Sequence, residues 1–279
     1  MFPNELQARK DIVYYSHKVH AEGLVSATDG NLSVRLDDSH VLITPSSLRK
    51  EDMFIDAPIV IDMDGNLVAG DRRPSTELKV HLEAYRQRPD VQAVIHAHPP
   101  KAIAFTIAEA PLDTCMLPEV VVTLGDVPVA PYAAPSTEAL PDSMRELIRR
   151  SDVVMLARHG SVTVGKDLSD AFKKLEKLEH NAQIMIYARI LGGPKPFSGA
   201  ELKQLEGLRS FYGVKTQQIA CTSGAPATAA QVPVGRWQER SAFNDGEEQA
   251  PTYRRPDSSA DDSMDALVDE IVARVKARL

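Results

Sequence analysis

Val91-Gln92-Ala93-Val94-Ile95-His96-Ala97-His98 is an apolar run that ends in two histidines one residue apart, followed at once by Pro99 and Pro100. In a strand, successive side chains point to opposite faces, so His96 and His98 share one face. Two neutral imidazoles projecting together from a strand end can chelate a divalent ion. They can equally be two hydrogen-bonded surface histidines, and the residues elsewhere in the chain decide between these. The prolines stop the strand and fit a loop or a helix start.

Outward from that strand, helices and short strands alternate. Residues 5–22 read as a helix with Leu6, Ile12, Val13 and Val19 on its apolar side and Gly23 at its end. Residues 31–35 and 40–44 read as strands around a turn at Asp37-Asp38, and 59–63 and 66–69 as strands around Asp64-Gly65. Ser75 is placed to cap a helix in which Leu78, Leu82 and Tyr85 share a face and which Pro89 ends. Further strands are expected at 119–124, 127–131 and 152–158. Helices are expected at 136–149 with Ser136 as cap, at 168–191 closed by Gly192-Gly193, and at 201–211. Asp64-Gly65 and the short gap at Gly125-Asp126 imply antiparallel pairing, hence an α/β fold with a mixed sheet between helices.

The chain has 279 residues, 43% of them hydrophobic, which suffices for one large core and something extra. A formal charge of −7 without a long Lys/Arg block speaks against nucleic-acid binding. Cys115 and Cys221 belong to no Cys-x-x-Cys pair and read as reduced thiols. Residues 1–9 lack the apolar segment of a signal peptide, and no run is long enough to span a membrane, so a soluble cytoplasmic protein is expected. The domain is expected over 1–215. Residues 216–263, rich in Pro, Ser, Ala and Gly, then read as a flexible linker holding the lone Trp237. Met264, Leu267, Val268, Ile271, Val272, Val275 and Leu279 form one apolar stripe, so 264–279 reads as an amphipathic helix.

The chemistry sits at element ends. Arg158-His159-Gly160 closes the apolar strand after residue 152, at a sheet rim, and Glu77 lies in the first turn of the helix after Ser75 and Thr76. Three histidines and one carboxylate suit zinc or a similar borderline ion. Thr28-Asp29-Gly30-Asn31, Thr44-Pro45-Ser46-Ser47 and Pro74-Ser75-Thr76 each offer hydroxyls and backbone N–H groups of the kind that hold a phosphate. Turn and cap chemistry accounts for any one of them taken singly.

Six motifs then occur in order: Gly-Asn-Leu-Ser-Val-Arg (30–35), Leu-Ile-Thr-Pro-Ser-Ser (42–47), Pro-Ser-Thr-Glu (74–77), His-Ala-His (96–98), Val-Pro-Val-Ala-Pro-Tyr (127–132) and Arg-His-Gly (158–160). Together they resemble the class II aldolase/adducin family, above all its L-fuculose-1-phosphate aldolases, over about residues 5–213. The resemblance implies an α/β/α layered fold and a zinc-dependent homotetramer with active sites at subunit interfaces. It implies His96, His98 and His159 as metal ligands, with Glu77 as fourth ligand and then as acid/base. It places a substrate phosphate among Gly30, Asn31, Ser46, Ser47, Ser75 and Thr76. The implied reaction is retro-aldol cleavage of a 6-deoxyketose 1-phosphate, L-fuculose or L-rhamnulose 1-phosphate, to dihydroxyacetone phosphate and L-lactaldehyde.

Two departures bear on the aldehyde. The family aldolases carry a tyrosine near Thr114-Cys115-Met116 that protonates the aldehyde oxygen, and this chain has none there. Glu119 can replace it, or can serve as a rim salt bridge. A second family tyrosine matches Tyr212, while its aromatic neighbour aligns with Arg209. A ribulose-phosphate 4-epimerase, a methylthioribulose-phosphate dehydratase and a non-catalytic adducin-like scaffold share the fold and remain alternatives. The tail at 264–279 resembles the encapsulation peptides that carry enzymes into bacterial microcompartments, with a shell protein as the expected partner.

Overall fold

The segment Ala93–Ala97 is buried at every residue, as a strand is when helices cover both faces of its sheet. The computed structural model describes residues 4–209 and 211. Its elements are α1 (Glu5–Ala21), β1 (Asn31–Arg35), β2 (His40–Ile43), β3 (Ile59–Asp62), β4 (Leu67–Ala69), α2 (Leu78–Gln87), β5 (Ala93–Ala97) and α3 (Pro100–Ile107). There follow α4 (Pro118–Thr123), β6 (Val129–Ala130), α5 (Ala139–Ile148), β7 (Val153–Leu156), β8 (Gly160–Gly165), α6 (Leu168–Ile190) and α7 (Gly199–Arg209).

The eight strands run in the order β4-β3-β2-β1-β5-β8-β7-β6. Every neighbouring pair is antiparallel except β6 with β7. Side-chain alternation sorts the interior into two layers. Ala93, Ile95 and Ala97 pack with α1, α3 and α6, while Val94 packs with α2 and α5. This is the expected α/β/α arrangement with a mixed, mostly antiparallel sheet. The β1–β5 register sets Asn31 opposite His96 and Ser33 opposite Val94. Residues directly opposite lie on one face of the sheet, so Asn31, Ser33 and His96 all face α2.

Several boundaries differ from the sequence expectation. The expected strand at 119–124 is helix α4, started by Pro118 at its first position. No hairpin therefore forms at Gly125-Asp126, and the next strand, only Val129–Ala130, runs parallel to β7. Ser75 does not cap α2, which begins at Leu78 with Glu77 in the cap position. Ser136 does not cap α5 either. It holds a left-handed backbone, φ 64°, and donates its hydroxyl to Thr76. The helix expected at 201–211 runs over Gly199–Arg209. Cys115 is held in a disulfide, against the expected reduced thiol. Cys221, Tyr212, Trp237, the linker at 216–263 and the tail at 264–279 lie outside the described residues. Among the described residues, no helix is long and apolar enough to cross a membrane.

Candidate metal centre

His96 is the penultimate residue of β5 with His98 just beyond the strand, His159 sits in the tight turn between β7 and β8, and Glu77 stands at the head of α2. The β-ladders draw them together. The β5–β8 register pairs His96 with Val162 and Ala97 with Ser161, which sets the turn carrying His159 beside the histidine pair. Arg158, in left-handed backbone at φ 58°, turns the chain so that the next side chain points inward.

Glycines make that approach possible at two places. A Cβ on Gly160 would stand 2.5 Å from the Ala97 carbonyl oxygen and 2.8 Å from His98 Cδ2. One on Gly30, where φ is 72°, would stand 2.5 Å from Val25 Cγ1 and 3.0 Å from the His96 carbonyl oxygen.

The four side chains converge. Glu77 Oε2 lies 3.2 Å from His96 Nε2, and Glu77 Oε1 lies 3.1 Å from His159 Nε2. His98 Nε2 stands 3.1 Å from His96 Nε2. All four ligand atoms fall within 4.8 Å of one another, a group able to hold a metal ion. A tetrahedral ion with ligands at about 2.0–2.1 Å spaces them roughly 3.3 Å apart, so the short separations are those of a chelating set.

Chemistry and tautomers agree with that fit. His96 donates its Nδ1 proton to the Ser161 carbonyl at 3.0 Å, which leaves Nε2 bare toward the centre. Asp29 Oδ2 sits 3.6 Å from His98 Nδ1 and favours the proton there, which again turns Nε2 inward. Burial, aided by the nearby His96 and His159, pushes the His98 pKa down to about 3. Two imidazole nitrogens 3.1 Å apart need a proton or a cation between them. With the His98 proton drawn to Nδ1 by Asp29 and the His96 proton given to Ser161, a metal ion fits between the two bare nitrogens. Before any ion binds, burial pushes the Glu77 carboxyl up, but hydrogen bonds from His159 and His96 protonated toward it, with their charge, outweigh burial and hold the group well below the usual carboxylate range. A cation bound to the bare nitrogens would act in the same direction. A carboxylate kept ionised is the form a metal takes. His159 Nδ1 is buried and finds no partner among the described residues.

Beside this centre the expected phosphate loops meet. Asn31 Nδ2 donates to Ser75 Oγ at 3.1 Å and to Glu77 Oε2 at 3.4 Å. A bridge joins Pro45 to Pro74, and Ser46 N–H donates to the Arg73 carbonyl at 2.9 Å. Ser46 and Ser47 hydroxyls lie 3.2 Å apart, and Thr76 accepts from Ser136. Gly30, Asn31, Ser46, Ser47, Ser75 and Thr76 thus belong to three loops tied to one another. Sequence reasoning missed the side chain beneath two of them. Lys50 is buried, and its ammonium donates to the carbonyls of Thr28 and Leu48, with its pKa pushed down to about 8 by burial. In a charged stretch such as Arg49-Lys50-Glu51-Asp52, nothing marks one lysine as the buried one.

Glu119 is not brought to this cluster within the chain. It is exposed near the start of α4, where it lines a cavity with Lys101, Lys177 and His180.

The class II aldolase and adducin N-terminal domain model matches residues 10–186. The chain belongs to the class II aldolase and adducin family. Within it, a 5-deoxy-D-ribulose 1-phosphate aldolase of Bacillus thuringiensis serovar kurstaki is 32% identical over 207 residues, covering 74% of this chain and 96% of the relative. A 3-oxo-tetronate 4-phosphate decarboxylase of Pectobacterium atrosepticum is 32% identical over 197 residues, covering 69% of this chain and 88% of the relative. Among solved structures of the fold, an L-fuculose 1-phosphate aldolase superposes with a TM-score of 0.67 at 29% identity, covering 74% of this chain and 96% of the other. The class II aldolase fold therefore accounts for the described residues, and the clustered Glu77, His96, His98 and His159 lie inside the matched region.

Proposed function

We propose that the chain cleaves a deoxyketose 1-phosphate by a metal-dependent retro-aldol reaction, L-fuculose or L-rhamnulose 1-phosphate giving dihydroxyacetone phosphate and L-lactaldehyde. The observation that carries this is the chelating cluster of Glu77, His96, His98 and His159 beside three tied polar loops. Three imidazoles and a carboxylate suit zinc. A bound ion supplies Lewis-acid stabilisation of the charge that develops on the substrate's carbonyl and neighbouring hydroxyl oxygens.

The chain's own residues do the rest. Gly30, Asn31, Ser46, Ser47, Ser75 and Thr76 hold the phosphate with hydroxyl, amide and backbone donors. Cleavage needs the C4 hydroxyl proton removed as the C3–C4 bond breaks; its electron pair passes into an enediolate of the three-carbon phosphate. Glu119 or Tyr212 takes that hydroxyl proton in this reading and passes it to solvent, and Glu77, after taking up a proton from solvent, delivers it to C3. A homotetramer and a tail at 264–279 that docks on a microcompartment shell protein complete the proposal, the tail on its apolar stripe.

A second reading has its own support in the decarboxylase relative and in the lack of a tyrosine at 114–116. Loss of carbon dioxide from a 3-oxo acid bearing a 4-phosphate leaves the same enediolate, which Glu77 can protonate. It needs no group to serve an aldehyde oxygen.

The test is a coupled assay for dihydroxyacetone phosphate release from L-fuculose 1-phosphate, L-rhamnulose 1-phosphate, 5-deoxy-D-ribulose 1-phosphate and 3-oxo-tetronate 4-phosphate, with and without chelator. Release from a ketose phosphate that chelation removes and zinc restores is the expected result. Release from the oxo acid alone establishes the second reading. Release from none, with metal bound, overturns both.

A further inference from the structure

Behind Glu77 runs a line of buried polar side chains that the proposed reaction does not use. Glu77 Oε2 accepts from Asn31 Nδ2, and Asn31 Oδ1 accepts from His81 Nε2. His81 Nδ1 lies 2.7 Å from the Ser33 hydroxyl, which lies 2.8 Å from the Tyr85 hydroxyl. Asn31, Ser33, His81 and Tyr85 are all buried. The register explains the convergence: Asn31 and Ser33 face α2 from β1, and His81 and Tyr85 lie one turn apart on α2.

Donor and acceptor rules give the chain one direction. An ionised carboxylate only accepts, so Asn31 turns its NH2 group to Glu77 and its carbonyl oxygen inward. That oxygen also only accepts, so His81 carries its proton on Nε2. His81 Nδ1 is then bare and accepts from Ser33, whose oxygen accepts from Tyr85. Every donor points toward the metal centre. Burial pushes the His81 pKa down to about 3, so the ring stays neutral and can hold both roles at once. The other tautomer would set a bare nitrogen against the Asn31 oxygen and drive the amide to flip. A flipped Asn31 would present a carbonyl oxygen to the Glu77 carboxylate and to any phosphate in the adjoining loops.

We propose that His81 is a positioning residue, fixed as the Nε2–H tautomer by Ser33 and Tyr85, which holds the Asn31 amide with its donors facing Glu77 and the phosphate loops. This rests on the reading of Glu77 as acid/base and of Asn31 as a phosphate contact. His81 touches neither substrate nor metal and acts only through Asn31.

Two measurements on the full-length, zinc-loaded protein test it. Long-range 15N NMR of histidine-labelled protein, with the His81 signals assigned by their loss in His81→Gln, reads the tautomer directly. The expected pattern is a neutral ring protonated at Nε2; a ring protonated at Nδ1, or at both nitrogens, overturns the proposal. The second measurement is a double-mutant cycle on kcat/KM. His81→Leu should lower it tenfold or more, with KM for the phosphorylated substrate raised, while His81→Gln, which keeps a donor and an acceptor, recovers most of the loss. In an Asn31→Ala background the same His81→Leu change should cost less than threefold. Equal losses in both backgrounds show a general packing defect and overturn the positioning role. If His81→Leu does not fold, Ser33→Ala, which removes the donor to Nδ1, takes its place in the cycle. Should the wild-type protein release no dihydroxyacetone phosphate from any substrate, the functional reading fails and the tautomer alone decides the positioning role.

Discussion

Gly160 has no room for a side chain. The atoms its Cβ would meet are a backbone oxygen, Ala97 O, and the rings of His98 and His96. Backbone cannot move aside cheaply inside a paired sheet, so Gly160→Ala must either open the β5–β8 ladder or push His98 off the centre. Groups that orient metal ligands typically carry 10–100-fold in affinity. Gly160→Ala should therefore bind zinc at least tenfold more weakly in competition with a chromophoric chelator, and lose about 2 kcal/mol or more of stability. Unchanged zinc affinity would show that the metal is held elsewhere. At this scale much of the site was legible in the sequence, because His96, His98, His159 and Glu77 are ligand types at element ends. What orients them was not. Arg158 takes a left-handed conformation that its residue type disfavours, and Asp29 and Lys50 resemble any charged loop residue until the fold sets them beside His98 and under two loops.

Helix α3 begins at Pro100, two residues beyond His98, and α6 supplies its N-terminal cap. Glu179 accepts from the backbone N–H groups of Lys101 and Ala102, both at 3.0 Å, and from the Lys101 ammonium at 3.3 Å. First-turn N–H groups have no partner inside their own helix, and a carboxylate there also meets the positive end of the helix dipole. Glu179→Ala should thus cost about 1–3 kcal/mol in urea unfolding of the metal-free protein, and Glu179→Gln distinctly less. Equal losses would mean that packing, not capping, is what Glu179 supplies. The elements themselves were legible wherever a period or a turn marked them, as in α1, α6 and the hairpin at Asp64-Gly65. α4 was not legible. Val120-Val121-Val122 reads as strand by β-branched propensity, yet all three are buried where α4 packs against α6 and α7. Such tertiary burial overrides a local preference worth only tenths of a kcal/mol per residue. With α4 misread, the parallel pairing of β6 with β7 could not be anticipated.

For the whole molecule, burying His81 links folding to protons. The folded state holds its pKa down to about 3, against an ordinary value of 6.5. Between those two values the unfolded chain binds a proton that the folded chain refuses, so stability is present above the unfolded pKa and is lost as the pH falls. Taking metal-free protein from pH 7 to pH 5 should cost about 2 kcal/mol through this one side chain. His81→Gln has nothing to titrate there and keeps that amount. It should be less stable than wild type at pH 7 and should close most of the gap by pH 5, as read by urea unfolding of chelator-treated protein at both values. Parallel losses in the two proteins would show that His81 is reachable by protons in the folded state, and that the sheet and α2 do not seal the polar chain behind Glu77. Because that chain joins β1, α2 and the metal centre, acid should release bound metal and loosen the sheet–helix layer together, not in two separate steps.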